Sequence, residues 1–141
     1  MKNKKLITEY TASMVAKITG LKPRMQDYYV WNGFITPSGV QTGKYRKWTI
    51  VDLISLRVMI KLHDQVGATA LRKVATYLQS VGEDFSNASL VIAGEDVMLI
   101  HEPDEIVSLL KKPGQKAFIT MVIDLAEAEQ EVRAKIQELA A

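Results

Sequence analysis

"LKPRMQDYYVWNGFITPS", residues 21–38, puts two adjacent tyrosines, a tryptophan and the cations Lys22 and Arg24 on a segment too short to bury them all. How it folds decides the architecture of the first half of the chain. Pro23 fits the first turn of a helix, where its missing N–H would have no partner anyway. Met25, Tyr28, Tyr29 and Trp31 give that helix periodic apolar groups, and Gly33 stops it. Just upstream, TASMVAKIT (11–19) reads as a short helix with Thr11 as N-cap, Met14, Val15 and Ile18 as its apolar face, and Gly20 as its stop. Two short helices joined by Gly20-Leu21-Lys22 make a helix-turn-helix.

Downstream, Phe34-Ile35 and Tyr45–Trp48 flank a polar loop (36–43), which predicts a basic β-hairpin. Thr49 and Asp52 form a capping pattern for a third helix over about 50–65, and a fourth helix follows Gly67 over 69–78. Residues 82–87 read as a linker, dividing a head (1–81) from a tail (82–141). In the tail, SLVIAGEDVMLI (89–100) predicts a hairpin about Gly94-Glu95, and 103–112 a short helix. A long last helix is expected over about 115–139. Phe118, Val122, Leu125, Glu129, Val132, Ile136 and Leu139 fall at alternating steps of four and three, a heptad seam interrupted only by Glu129. The six apolar residues are the candidate dimerisation surface. The alternative is that this helix packs back on its own head. The fold class expected is therefore mainly α: a winged helix-turn-helix head, a small β-hairpin and a long C-terminal dimerisation helix.

Charge divides at the same boundary. The chain of 141 residues carries a net +2, yet residues 1–80 hold 13 Lys/Arg against 4 Asp/Glu, and the remainder holds 5 against 12. A half of +9 joined to a half of −7 points to one end that binds a polyanion and another with a different task. No apolar run approaches the ~18 residues of a membrane span, and the N-terminus lacks the pattern of a secretory signal. With no cysteine, disulfides, thiolate metal sites and thiol nucleophiles are excluded. A cytoplasmic protein without a membrane partner is expected.

A DNA-binding head needs a helix start presented to the major groove, donors for phosphates, and a second element gripping the flanking backbone. Lys22 and Arg24 stand at the start of the second helix. Tyr28 or Tyr29 can donate a hydroxyl to phosphate. Lys44, Arg46 and Lys47 supply the grip, with Tyr45 and Trp48 anchoring their hairpin. The order of these features, YTASMVAKITGLKPRMQDYYVWNGFITPS (10–38) followed by GKYRKWTIVDLISLRVMIKLHDQVGATALRKVATYL (43–78), resembles the DNA-binding head of the MerR-type regulators. The resemblance implies a winged helix-turn-helix that acts as a dimer on a pseudo-palindromic operator, with Arg24, Tyr28, Tyr29 and Arg46 on phosphates or bases. Three positions depart from it, the first being Lys22, where the family opens the second helix with a small hydroxyl residue. Where the family has leucine and arginine before the tyrosine pair, this chain has Gln26 and Asp27, and an outward aspartate would face phosphate unfavourably: either the helix is rotated, or Asp27 pairs with a base such as Lys47, or DNA binding is weaker or different. The tail is similar to bacterial proteins that couple such a head to a small tail, some of them antitoxin-like.

His63 and His101 stand far apart, and Glu102, Asp104 and Glu105 cluster where a helix dipole already accounts for them. No phosphate loop, nucleophile elbow or metal-ligand motif is present, so neither catalysis, a metal nor a cofactor is expected. The function expected is that of a sequence-specific transcriptional regulator binding double-stranded DNA as a homodimer. The alternatives are an antitoxin-like module whose acidic tail takes a protein partner, and an architectural or recombination-associated DNA binder of low selectivity.

Overall fold

Thr11 opens the first helix with its side chain, Oγ1 accepting from the Met14 N–H at 3.4 Å, and α1 runs over Ala12–Thr19. In the computed structural model, residues 9–39, 46–80, 82, 85–86, 89–93, 96–100, 119–123 and 125–140 are described. α1 ends at Gly20, and after two residues α2 covers Pro23–Trp31. Thr19 fastens the turn between them: its hydroxyl donates to the Val15 carbonyl (2.8 Å) and accepts from the Leu21 N–H (3.1 Å). Helix α2 closes in a Schellman motif, the Phe34 N–H reaching the Tyr29 carbonyl and the Gly33 N–H that of Val30, both at 3.0 Å.

The segment 50–80 is helical throughout except at Gly67, whose φ of 85° and ψ of 177° divide it into α3 (50–66) and α4 (68–80). Such a backbone suits glycine alone. Asp52 and Thr49 cap α3 reciprocally, Asp52 Oδ2 accepting from the Thr49 N–H at 2.9 Å and Thr49 Oγ1 from the Asp52 N–H at 3.5 Å. Leu53, Leu56, Val58, Met59 and Leu62 from α3 and Leu71, Val74 and Leu78 from α4 meet Val15, Ile18, Tyr29, Phe34 and Trp48 in one core.

The expected fold class needs correction in three respects. First, no wing hairpin is present among the described residues: 34–39 and 46–49 hold no strand. Trp48 pairs instead with Tyr10, through the two hydrogen bonds of an isolated antiparallel bridge at 2.7 and 3.0 Å. Side-chain capping organises the approach to the loop. Ser38 donates its N–H and hydroxyl to Asp52 at 2.8 and 2.9 Å, which draws 36–38 onto the start of α3 and away from a ladder. The Gly39 N–H closes the loop on the Lys47 carbonyl at 3.1 Å.

Second, the tail holds a three-stranded antiparallel sheet rather than a lone hairpin. β1 (Ser89–Ala93) lies between β2 (Asp96–Ile100) and β3 (Ile119–Ile123), in the order β2-β1-β3. The register pairs Val91 with Met98 on one side and with Val122 on the other, and it shifts at Ile92/Ala93 against β3. Third, the last helix, α5, begins only at Leu125 and ends at Ala140. The run ITMVI is rich in β-branched residues, which favour strand over helix, and it takes the place of the first helical turns expected from the heptads. The expected short helix at 103–112 lies outside the described residues.

Helix α5 packs on its own head, against α3 and α1. Ala128 and Val132 are fully buried there and Ile136 partly so. Glu131 joins them by accepting from Arg57 Nε at 2.5 Å and Lys61 Nζ at 2.7 Å, and Glu127 lies 3.3 Å from the same lysine. Among the described residues no helix is long and apolar enough to cross a membrane.

Candidate nucleic-acid interface

The turn between α1 and α2 fixes the orientation of the second helix through Gln26. Lys22, the N-cap of α2, gives no side-chain cap. Gln26 is buried instead, and its Nε2 donates to the carbonyls of Leu21 (2.8 Å) and Ala12 (3.0 Å). The amide thus ties α2 to both ends of the preceding helix-and-turn unit. It turns the opposite face of α2, with Arg24, Asp27, Tyr28 and Trp31, outward.

Lys22 and Arg24 are exposed at the leading end of that helix. The two tyrosines differ. Tyr29 is 1% exposed, its ring 5.6 Å from Phe34 and 6.4 Å from His63, and its hydroxyl is pushed up to about 12 by burial and then by the charges of Asp64 and Tyr28. It is a core anchor and is not on the outer face with Arg24. Tyr28 is half-buried, its ring set edge-on to Phe34 at 6.1 Å. Trp31, expected among the apolar groups that pack α2, is 76% exposed.

Arg46 donates from Nη1 to Oδ1 of Asp27, so the acid on the outer face of α2 is matched by a cation from the end of the loop. Lys47, next in sequence, is half-buried. Lys44 and Tyr45 lie outside the described residues. Trp48 is wholly buried, its indole Nε1 without a hydrogen-bond partner among the described residues. No family model and no curated protein matches this chain.

The second cation cluster of the head is committed elsewhere: Arg57 and Lys61 hold α5, and Arg72 stacks 5.3 Å above the Phe34 ring while donating to Asn32 Oδ1 at 3.1 Å. Lys22 and Arg24 are exposed at the start of α2, beside the Arg46–Asp27 pair. Of the expected dimerisation residues, Phe118 lies outside the described residues, Val122 is on β3 and Leu125 opens α5. Val132 is buried and Ile136 partly buried against the head, while Leu139 is 49% exposed. The heptad positions do not share one helical face. Among the described residues no group of three or more His, Asp or Glu side chains could hold a metal ion.

Of the expected alternatives for Asp27, pairing with a base is the one observed, though the base is Arg46 and not Lys47. Gln26 and Asp27 stood out in the sequence among the departures from the MerR-type pattern. Their partners, fourteen residues upstream and nineteen downstream, did not.

Proposed function

We propose that the protein is a sequence-specific DNA-binding transcriptional regulator of MerR-like design, with α2 lying in the major groove. The observation that carries this reading is the exposed pair Lys22 and Arg24 at the start of a helix whose opposite face is locked down by Gln26. The +9 charge of the head favours a polyanion, and Arg46, bonded to Asp27 of α2, keeps further N–H donors for a flanking phosphate. A head of this size covers one half-site, so two copies are needed for a pseudo-palindromic operator. The reading implies a cytoplasmic homodimer, at twice 15.8 kDa.

A salt titration of binding to random and gene-neighbouring duplexes tests it, alongside the solution mass. The expected result is tighter binding to one neighbouring site, carried by a particle of dimer mass. Arg46→Ala weakens binding to all sequences and flattens the salt slope by about one. Arg24→Ala relaxes preference at particular base pairs, by about 1–3 kcal/mol. Binding without preference supports the architectural alternative, and no binding at low salt overturns the reading.

A further inference from the structure

Arg24, Asp27, Tyr28 and Trp31 recur at spacings of three and four along α2 and so share its outward row. Asp27 sits in the middle of that row with 39% of its side chain accessible. A carboxylate there, unaccompanied, would be repelled by phosphate. It is accompanied: Arg46 Nη1 bonds Oδ1, leaving this point of the surface near neutral. Oδ2 receives no hydrogen bond from a described residue. The pair therefore presents an oriented acceptor, charge-compensated, on the face that carries Arg24.

We propose that Asp27 is a specificity-determining residue that selects cytosine in the major groove, its carboxylate oriented by Arg46. This rests on α2 being the groove helix. An ionised carboxylate only accepts. Cytosine offers its N4 amino group as a donor at the major-groove edge, and carboxylates take that donor. Adenine also has an amino donor, but its N7 acceptor lies beside it and opposes the second carboxylate oxygen. Asparagine, a donor and an acceptor together, suits adenine instead. Arg46 is a positioning residue in this arrangement. A guanidinium has five N–H donors, so one bond to Asp27 leaves others to reach a phosphate.

The test is selection from randomised duplexes at fixed low salt, followed by titration of the selected site. The expected site fixes one cytosine per half-site. Replacing that base by 2-pyrimidinone, which lacks the amino group, weakens the wild-type protein about tenfold or more and leaves Asp27→Ala unaffected. Asp27→Asn moves the preference at that position to adenine. Because 2-pyrimidinone also lacks the amino hydrogen that pairs with guanine, the difference between wild-type protein and Asp27→Ala, and not the weakening alone, carries the result. If wild-type protein binds its site equally well with 2-pyrimidinone, the inference falls while the groove reading stands. The same holds if Asp27→Ala keeps every preference and merely binds all DNA more tightly, since Asp27 would then be a repulsive brake. If wild-type protein shows no preference or no binding, the groove reading itself fails, and the inference with it.

Discussion

Gln26 joins α1, the turn and α2 with hydrogen bonds from a buried side chain. Its two acceptors, the carbonyls of Leu21 and Ala12, belong to the turn and to the start of α1. Gln26→Ala leaves the buried Leu21 carbonyl without this donor, while the Ala12 carbonyl keeps its bond within α1; the expected cost is about 1 kcal/mol, read from urea denaturation. Tyr29 offers a second test at this scale. Its folded hydroxyl titrates near 12 against an ordinary 10.0. The stability this contributes is full below pH 10 and is lost as pH rises through about 12, because the unfolded chain ionises first. Phenolate absorbance should show one tyrosine titrating late, and Tyr29→Phe should abolish it without changing DNA affinity. The sequence displayed the tyrosine pair but not which member faces inward. Neighbours on a helix point about 100° apart, and only the position of α1 and Phe34 decides between them. Asp27 was legible as an anomaly, whereas its pairing with Arg46 depends on how the intervening loop returns.

Local chemistry made the helix boundaries readable. Thr11 and the Thr49–Asp52 pair act as caps, and the chain turns where Gly20, Gly33 and Gly67 stand. Thr49→Ala should lower stability by about 1 kcal/mol in thermal or urea unfolding. The loop between α2 and α3 was less legible, because its pairing is with side chains and with Tyr10. Gly39 matters there for closeness: a Cβ at this position would lie 2.5 Å from the Lys47 carbonyl oxygen, inside any permitted contact. Gly39→Ala is therefore expected to part the base of the loop, costing about 1–3 kcal/mol. DNA affinity should fall for every sequence alike, since Arg46 and Lys47 leave their places. The segment 119–123 was misread for a physical reason. A heptad spacing and a β-branched run coexist in it, and the β1 partner that favours the strand stands about thirty residues earlier.

At the scale of the whole molecule, the acidic tail returns to the basic head, and Glu131 is the centre of that contact. Burial pushes its carboxyl up, but hydrogen bonds from Lys61 and Arg57, with their charges, hold it below the ordinary value. The sign follows: the stabilisation is complete above the carboxylate range of the unfolded chain and is lost as pH falls through the lowered folded value. Glu131→Gln should remove this acid-side dependence and lower stability by about 1 kcal/mol, the scale of a half-exposed ion-pair network. Calorimetric melts at neutral and acid pH measure both. The charge asymmetry that suggested two separate tasks thus also serves to join tail to head.

Docking of α5 has a consequence for the order in which the protein is made. Arg57 and Glu131 are 74 residues apart in the chain. At a synthesis rate of about 5–20 residues per second, the head waits roughly 4 to 15 s between gaining its cations and receiving the carboxylates that meet them. During that interval a nascent head carries its full positive charge, with the seats of Ala128 and Val132 still open. The ribosome, itself a polyanion, is the first surface it meets.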